Sequence, residues 1–226
     1  MKWIAILPVK EHSARVPHKN FRVLNGKPLW EWTARKLLGI PTLASIVIDT
    51  DCQELFAGLP AGPDRIVVRA RPQCLRGDDV SMNCILEAVV AAHPADAYLQ
   101  VHATNPFVPR RKLVLAMAWL EDKLCGSIHT VTEHRARFFF RGQPVNHDPE
   151  ELLKTQDLPP VYEENSCLYA FERAAFLLEK RRVCGKKLFF VLPPIENLDI
   201  DTEAQWQIAE ALVEHAAKRG EKPLEA

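Results

Sequence analysis

The sequence predicts an α/β fold built on a doubly wound, mainly parallel sheet, and two observations predict it. Short apolar runs of strand length alternate with longer stretches whose apolar residues recur at helical spacing. The apolar runs end abruptly in polar residues, as buried strands of an α/β domain do where they reach the rim of the sheet.

The elements follow in order. Trp3 to Val9 reads as a buried strand, followed by a polar, basic loop from Lys10 to Arg22. Asn25-Gly26-Lys27-Pro28 is a turn signal. Leu29 to Leu38 has helical spacing, with Trp32 and Leu37 near one face. Ser45 to Asp49 is a second strand, Asp51 to Phe56 a short helix start, and Arg65 to Arg69 a third strand. Ser81 to Ala92 is a helix with Ser81 at its N-cap. Ala97 to His102 is a fourth strand, Arg110 to Lys123 a helix, and Ser127 to Thr132 a fifth strand. The pattern then loosens. Glu133 to Asn165 is polar, with aromatics at Phe138-Phe139-Phe140 and prolines at 144, 149, 159 and 160. This stretch is expected to be a small inserted arm outside the sheet, within a single domain spanning residues 1–226. Cys167 to Phe171 and Phe189 to Leu192 are returning strands, and Gln205 to Ala217 is a closing helix.

Composition narrows the function. The 226 residues suffice for one sizeable core without disulfide help. With 29 basic and 29 acidic residues the net charge is zero, which argues against a general nucleic-acid binder, so functional electrostatics must be local. The six cysteines form no C-x-x-C pair and no zinc spacing, and are expected as free thiols in a reducing cytoplasm. The apolar run Ile4 to Leu7 is too short for a signal segment, and no stretch approaches the roughly 20 apolar residues of a membrane span.

In doubly wound sheets ligands sit beyond the carboxyl ends of the strands. Here those ends carry the Lys10–Arg22 loop, Asp49-Thr50-Asp51 and His102-Ala103-Thr104-Asn105. Between Lys10 and Asn20 the loop holds three cations (Lys10, Arg15, Lys19), with Ser13 and Asn20 as short hydrogen-bonding groups. A nucleoside triphosphate needs such a set, because its charge must be neutralised and its oxygens need donors. Neither a G-x-x-x-x-G-K-[ST] nor a G-x-G-x-x-G segment is present, and on charge alone a solvated basic loop is the favoured reading. Asp199 and Asp201 form a second candidate group. At i and i+2 in extended chain they point the same way and repel unless a cation or proton compensates. Magnesium binding and capping of the following helix both remain open on spacing alone. A third group, Tyr162-Glu163-Glu164-Asn165, reads as a loop end or as a wall of an acceptor pocket, and His102 as a base, a donor or a structural histidine.

Taken in order, six segments resemble the acylneuraminate cytidylyltransferases. They are Ser13 to Asn20, Asn25 to Leu29, Asp49-Thr50-Asp51, Arg71-Pro72 with Asp78 to Ser81, His102 to Phe107, and Asn197 to Thr202. The resemblance runs from residue 4 to about 213. It departs at Lys10, where the family has Arg, and at Ala14-Arg15, where it has Lys-Gly. It departs again at His102, where the family has Gln, at Met82, where it often has Ser, and at Glu163-Glu164-Asn165-Ser166, where it has Arg-x-Asn-Gly.

The resemblance implies a nucleotide-diphospho-sugar transferase-like fold and transfer of CMP from CTP to the hydroxyl of an acidic 2-keto sugar, releasing pyrophosphate. It implies that Lys10, Arg15 and Lys19 meet the phosphates and that Asn20, Arg71 and Ser81 hold the cytidine. Mg2+ on Asp199 and Asp201 would bridge the triphosphate, with Ser13 and His102 in the CTP and acceptor pocket. A homodimer paired through the 133–165 arm is implied as well. An octulosonate-type acid or a small phosphonate as acceptor, or a nucleotide-binding regulator without catalysis, are the alternatives. The retained Asp pair speaks against the regulator.

Overall fold

The computed structural model describes residues 1–13, 15–56 and 65–225; Ala14 of the basic loop lies outside the described residues. In chain order the main elements are β1 (Trp3–Val9), α1 (Leu29–Leu38), β2 (Leu43–Thr50), β3 (Ile66–Ala70), α2 (Met82–Ala92), β4 (Ala97–Val101) and α3 (Arg110–Asp122). They are followed by β5 (Ser127–His134), β6 (Val161–Glu172), α4 (Arg173–Glu179), β7 (Lys187–Val191) and α5 (Glu203–Lys218). The seven strands form one sheet in the order β7-β5-β6-β4-β1-β2-β3. All neighbours are parallel except β6, which runs antiparallel to both β4 and β5.

Alternation along β1 shows why helices cover both faces. Trp3, Ala5, Leu7 and Val9 pack against Trp30, Ala34 and Leu37 of α1 and Leu113, Ala116 and Leu120 of α3. Ile4 and Ile6 point the other way, into Leu86, Val89 and Val90 of α2 and Phe176 of α4. A strand apolar at every position has no solvent face to offer, and each fully buried Leu or Ile stabilises the layer by roughly 1.5–3 kcal/mol. In α1, Trp32 and Leu37 do not share a face. Five residues at 100° each separate them widely around the helix. Leu37 faces the sheet, while Trp32 joins a third cluster with Val16, Leu24, Leu29, Phe107, Ile200 and Trp206. That cluster sits under α5 and ties the start of the chain to its end.

Local signals place several boundaries. Asn25 and Gly26 both have positive φ, closing a two-residue turn between the short strands Val23–Leu24 and Lys27–Pro28. Ser81 Oγ accepts from the amide of Asn83 as the N-cap of α2. α5 opens with a capping box in which Thr202 and Gln205 satisfy each other's backbone. Neither aspartate of the preceding pair is the cap.

The arm is smaller than the sequence predicts. Val131–His134 of β5 pairs with Val161–Glu164 of β6, so both ends of the 133–165 stretch continue the main sheet. Only the segment between them leaves it, carrying the ribbon Phe139–Phe140 against Gln143–Pro144. Polar composition hid these strand ends. Glu133, Glu163 and Glu164 pair in the ladder with side chains that are exposed or half-buried. Past Glu164 the pairing slips. Ser166 takes φ of 57° and regular register resumes only at Tyr169, a bulge inside β6.

Candidate functional site

A cleft of about 470 Å³ opens at the carboxyl ends of β1 and β4. Its lining includes Lys10, Ser13, Arg15, Lys19, Asn20, Arg71, His102, Asp199 and Asp201, joined by Asp78, Met82, Thr104 and Ser166. Eight residues expected at the nucleotide, acceptor or metal from the basic loop and the motif segments therefore share one cavity with His102. Ser81 is not among the lining residues. It is exposed, its hydroxyl is spent on the N-cap of α2, and its neighbour Met82 faces the cleft instead.

Hydrophobic anchors explain how segments so distant in sequence meet. Val16, within the basic loop, and Ile200, between the two aspartates, are both fully buried in the cluster under α5. With Ile200 turned inward, Asp199 and Asp201 turn outward together. The Ile200 amide donates to the Thr104 carbonyl at 2.9 Å, tying this turn to the loop after β4. That loop is held from α1. Buried Lys36 donates to the carbonyls of Pro106 and, at 2.8 Å, of Val108. The basic loop is pinned as well. Asn20 Nδ2 donates to the Lys10 carbonyl at 2.8 Å, and the Glu11 amide donates to Asp51 Oδ1 at 3.0 Å.

The charges are arranged in pairs. Lys19 Nζ and Arg15 Nη2 each lie 2.8 Å from a different oxygen of Asp201. Lys10 Nζ lies 2.6 Å from Asp78 Oδ1, which holds the Asp78 carboxyl below the usual range. Arg71 Nε donates to Asp49 Oδ2 at 2.6 Å, and Arg69 takes the other oxygen of this fully buried aspartate. The Asp49-Thr50-Asp51 turn thus works from below, with Asp49 orienting Arg71 and Asp51 holding the loop.

The two aspartates of the pair sit in opposite electrostatic states. Burial works to raise Asp201, but the hydrogen bonds and charges of Lys19 and Arg15 outweigh it and hold the carboxyl below its usual range. Burial raises Asp199, the neighbouring Asp201 adds to the effect, and a Thr104 hydrogen bond only partly opposes it. Asp199 Oδ1 is buried and has no hydrogen-bond partner among the described residues. A buried, unpartnered carboxylate oxygen on a residue that lines the cleft, beside the ionised Asp201, fits a hard divalent cation. No cluster of three or more His, Cys, Asp or Glu occurs among the described residues, so a cation here would need oxygens from a ligand as well.

The third sequence candidate is mostly elsewhere. Glu163 pairs with His134 at 2.8 Å, the Tyr162 hydroxyl donates to Glu133 at 3.2 Å, and Asn165 Nδ2 donates to Thr132 Oγ1 at 3.2 Å. None of the four lines the cleft; the next residue, Ser166, does, turned there by the bulge. Sequence reasoning also missed Asp78 as partner of Lys10 and Arg182 as partner of Gln100. Arg182 lies in a segment without apolar periodicity, where no pattern signals it.

Comparison with known proteins agrees with this geometry. A family model described as Cytidylyltransferase matches residues 4–220. The chain is 25% identical over 220 residues to an N-acylneuraminate cytidylyltransferase of Oncorhynchus mykiss, covering 92% of this chain and 50% of that protein. It is 25% identical to a CMP-N,N'-diacetyllegionaminic acid synthase of Legionella pneumophila, covering 95% and 97%. The chain spans about half the length of the first relatives it matches. Among solved structures, a CMP:2-keto-3-deoxy-manno-octonic acid synthetase complexed with CTP superposes with a TM-score of 0.66 at 16% identity, covering 95% of this chain and 99% of that one. A 4-diphosphocytidyl-2C-methyl-D-erythritol synthase from Anaerococcus prevotii superposes at 0.67 with 14% identity, covering 94% and 96%. These structural likenesses show the same overall fold.

Proposed function

The chain belongs to the cytidylyltransferase family, and from that membership we propose that it transfers CMP from CTP to the hydroxyl of an acidic 2-keto sugar of the nonulosonate kind, releasing pyrophosphate. The observation that carries the proposal is the convergence of Lys10, Arg15 and Lys19 with Asp199 and Asp201 on one cleft at the carboxyl end of the sheet. Transfer of this type asks the protein mainly for positioning and charge stabilisation. Lys10, Arg15 and Lys19 would bind the phosphates, exchanging their present carboxylate partners Asp78 and Asp201 for phosphate oxygens. Asn20 and Arg71 would hold the cytidine end, both being nearly buried and tied to backbone or to Asp49. Asp199 and Asp201 would hold Mg2+, which supplies Lewis-acid stabilisation of the charge on the triphosphate when bound. The acceptor hydroxyl attacks the α-phosphorus, the bond to the β-phosphate oxygen breaks, and pyrophosphate leaves.

A symmetric homodimer built through the arm and residence in a reducing cytoplasm complete the proposal. The arm exposes Phe139 and Phe140, and all six cysteines are free thiols. Among the described residues no helix is long and apolar enough to cross a membrane. The test is pyrophosphate release with CTP and Mg2+ over a panel of nonulosonate, octulosonate and phosphonate acceptors, repeated with UTP. Release with a nonulosonate acceptor and CTP is expected. Equal use of UTP would remove the cytidylyl assignment.

A further inference from the structure

We infer that Arg182 is a positioning residue: acting through Gln100, it fixes His102 as the neutral tautomer that carries its proton on Nδ1, so that His102 offers the cleft a hydrogen-bond donor and not a base. The first part stands on geometry alone. Its use by an acceptor oxygen rests on the proposed function.

The relay is short. Arg182 Nη1 donates to Gln100 Oε1 at 3.0 Å. Gln100 Nε2 lies 2.6 Å from His102 Nε2. Gln100 is fully buried in β4, and His102 follows two residues later on the same side of the chain. An amide can be turned either way round, and usually nothing in its own shape says which end is oxygen. Here Arg182 decides it. A guanidinium has only donors, so the amide end facing it must be the oxygen. The amide nitrogen is thereby aimed at His102 with its protons, and His102 Nε2 must accept. A ring that accepts at Nε2 is neutral and carries its remaining proton on Nδ1. Among the described residues His102 Nδ1 has no protein hydrogen-bond partner, and His102 lines the cleft. Burial together with the positive charges of Arg182 and Lys19 pushes the imidazole down to about 4, which agrees with a neutral ring.

Arg182 itself is held for this task. Its guanidinium lies 3.5 Å from the centroid of the Tyr169 ring, and its backbone amide donates to Asn83 Oδ1 at 3.1 Å. The Tyr169 hydroxyl is in turn fixed by Glu164 and, at 3.0 Å, by Ser166 Oγ. The guanidinium has no carboxylate in ion-pair range among the described residues, so Gln100 is not competing for it. Cation–π contact and the single amide oxygen keep it in place.

The test reads the tautomer directly, without substrate, from imidazole nitrogen shifts in protein labelled with 15N-histidine. His102→Gln assigns the signals. Wild type is expected to show a protonated Nδ1 and an unprotonated Nε2 at neutral pH. Gln100→Glu, which can only accept, should move the proton to Nε2. Arg182→Met should release the amide and give a mixture of tautomers, and Arg182→Lys, still a donor, should restore the single form. A protonated Nε2 in wild type, or His102 signals unchanged in Arg182→Met, overturns the inference. If Arg182→Met does not fold, Gln100→Glu decides it: the proton must move to Nε2, and signals like wild type would overturn the relay. With an active acceptor, Arg182→Met should raise the acceptor KM about tenfold, the loss of one neutral hydrogen bond, with little change in the KM for CTP. A failed acceptor assay with the expected tautomer would fault the proposed reaction and leave the relay standing.

Discussion

Lys19 Nζ donates to Asp201 Oδ1 at 2.8 Å, closing the first loop of the chain onto the last turn before its final helix. The pair brings a nearly buried ammonium to a carboxylate that also carries Arg15, beside a second carboxylate with neither. The asymmetry separates what the two aspartates do for stability from what they do for chemistry.

Asp199→Asn should abolish most turnover without destabilising the fold. Burial raises the Asp199 carboxyl, so the folded state pays for its charge and binds a proton more tightly than the unfolded chain. An amide of the same shape removes that cost, and Tm should rise by roughly 2–4 °C per kcal/mol relieved. Asp201→Asn should instead lower Tm, because it leaves Lys19 buried without its counter-charge. Thermal unfolding and pyrophosphate release on both variants check this. Full activity of both at saturating Mg2+ would remove the metal assignment.

Lys19→Ala should weaken CTP more than Arg15→Ala does. The Lys19 side chain is 8% exposed and the Arg15 side chain 63%, so water screens Arg15 far more. For Lys19→Ala the loss should reach about 10- to 100-fold in affinity, and for Arg15→Ala a few-fold. Calorimetric titration with CTP and Mg2+ measures both. Wild-type affinity in the two variants would reduce the loop to a solvated surface.

Most of the fold was legible because buried strands and amphipathic helices carry their own patterns: Trp3–Val9 and Leu29–Leu38 are found where periodicity puts them. The ends of β5 and β6 were not legible, since Glu133, Glu163 and Glu164 pair through the backbone while their side chains stay wet. Helix α4 escaped because its seven residues are too few to show a period. In the site, charge-bearing motifs named most of the cleft. The roles of Asp49, Asp78 and Arg182 depend on neighbours 20 or more residues away, which no local pattern encodes. Ser81 carried two compatible meanings, ligand and cap, and the structure uses the cap.

Acid should reveal His102 as a cost to the folded state. Its imidazole is pushed down to about 4 in the fold against about 6.5 in an unfolded chain. Between those values the unfolded state binds more protons, so stability falls as pH drops from about 6.5 to about 4. The contribution is at most about 3 kcal/mol. His93 and His129 are also lowered, chiefly by burial, and act in the same direction. Comparing wild type with His102→Gln isolates the one ring. Denaturant unfolding at several pH values should show a shallower loss in the variant, and parallel curves would contradict a neutral His102.

The arm should pair two copies of the chain. Phe139 and Phe140 are 61% and 66% exposed on a ribbon outside the main sheet, and Leu152, further along the same excursion, is 85% exposed. Large apolar groups held out on a small ribbon gain little from their own chain: Phe139 touches His147 edge-on, and Arg141 lies over the Phe140 ring. Exposed aromatic groups on a ribbon of this kind suit an interaction site, and a two-fold pairing lets the ribbon cover its own copy. Light scattering at micromolar concentration should give twice the mass of the 25.6 kDa chain. Phe139→Ser with Phe140→Ser should shift it to the monomer while the thermal transition of the sheet persists. A wild-type monomer, or a dimer indifferent to the double substitution, would place the interface elsewhere.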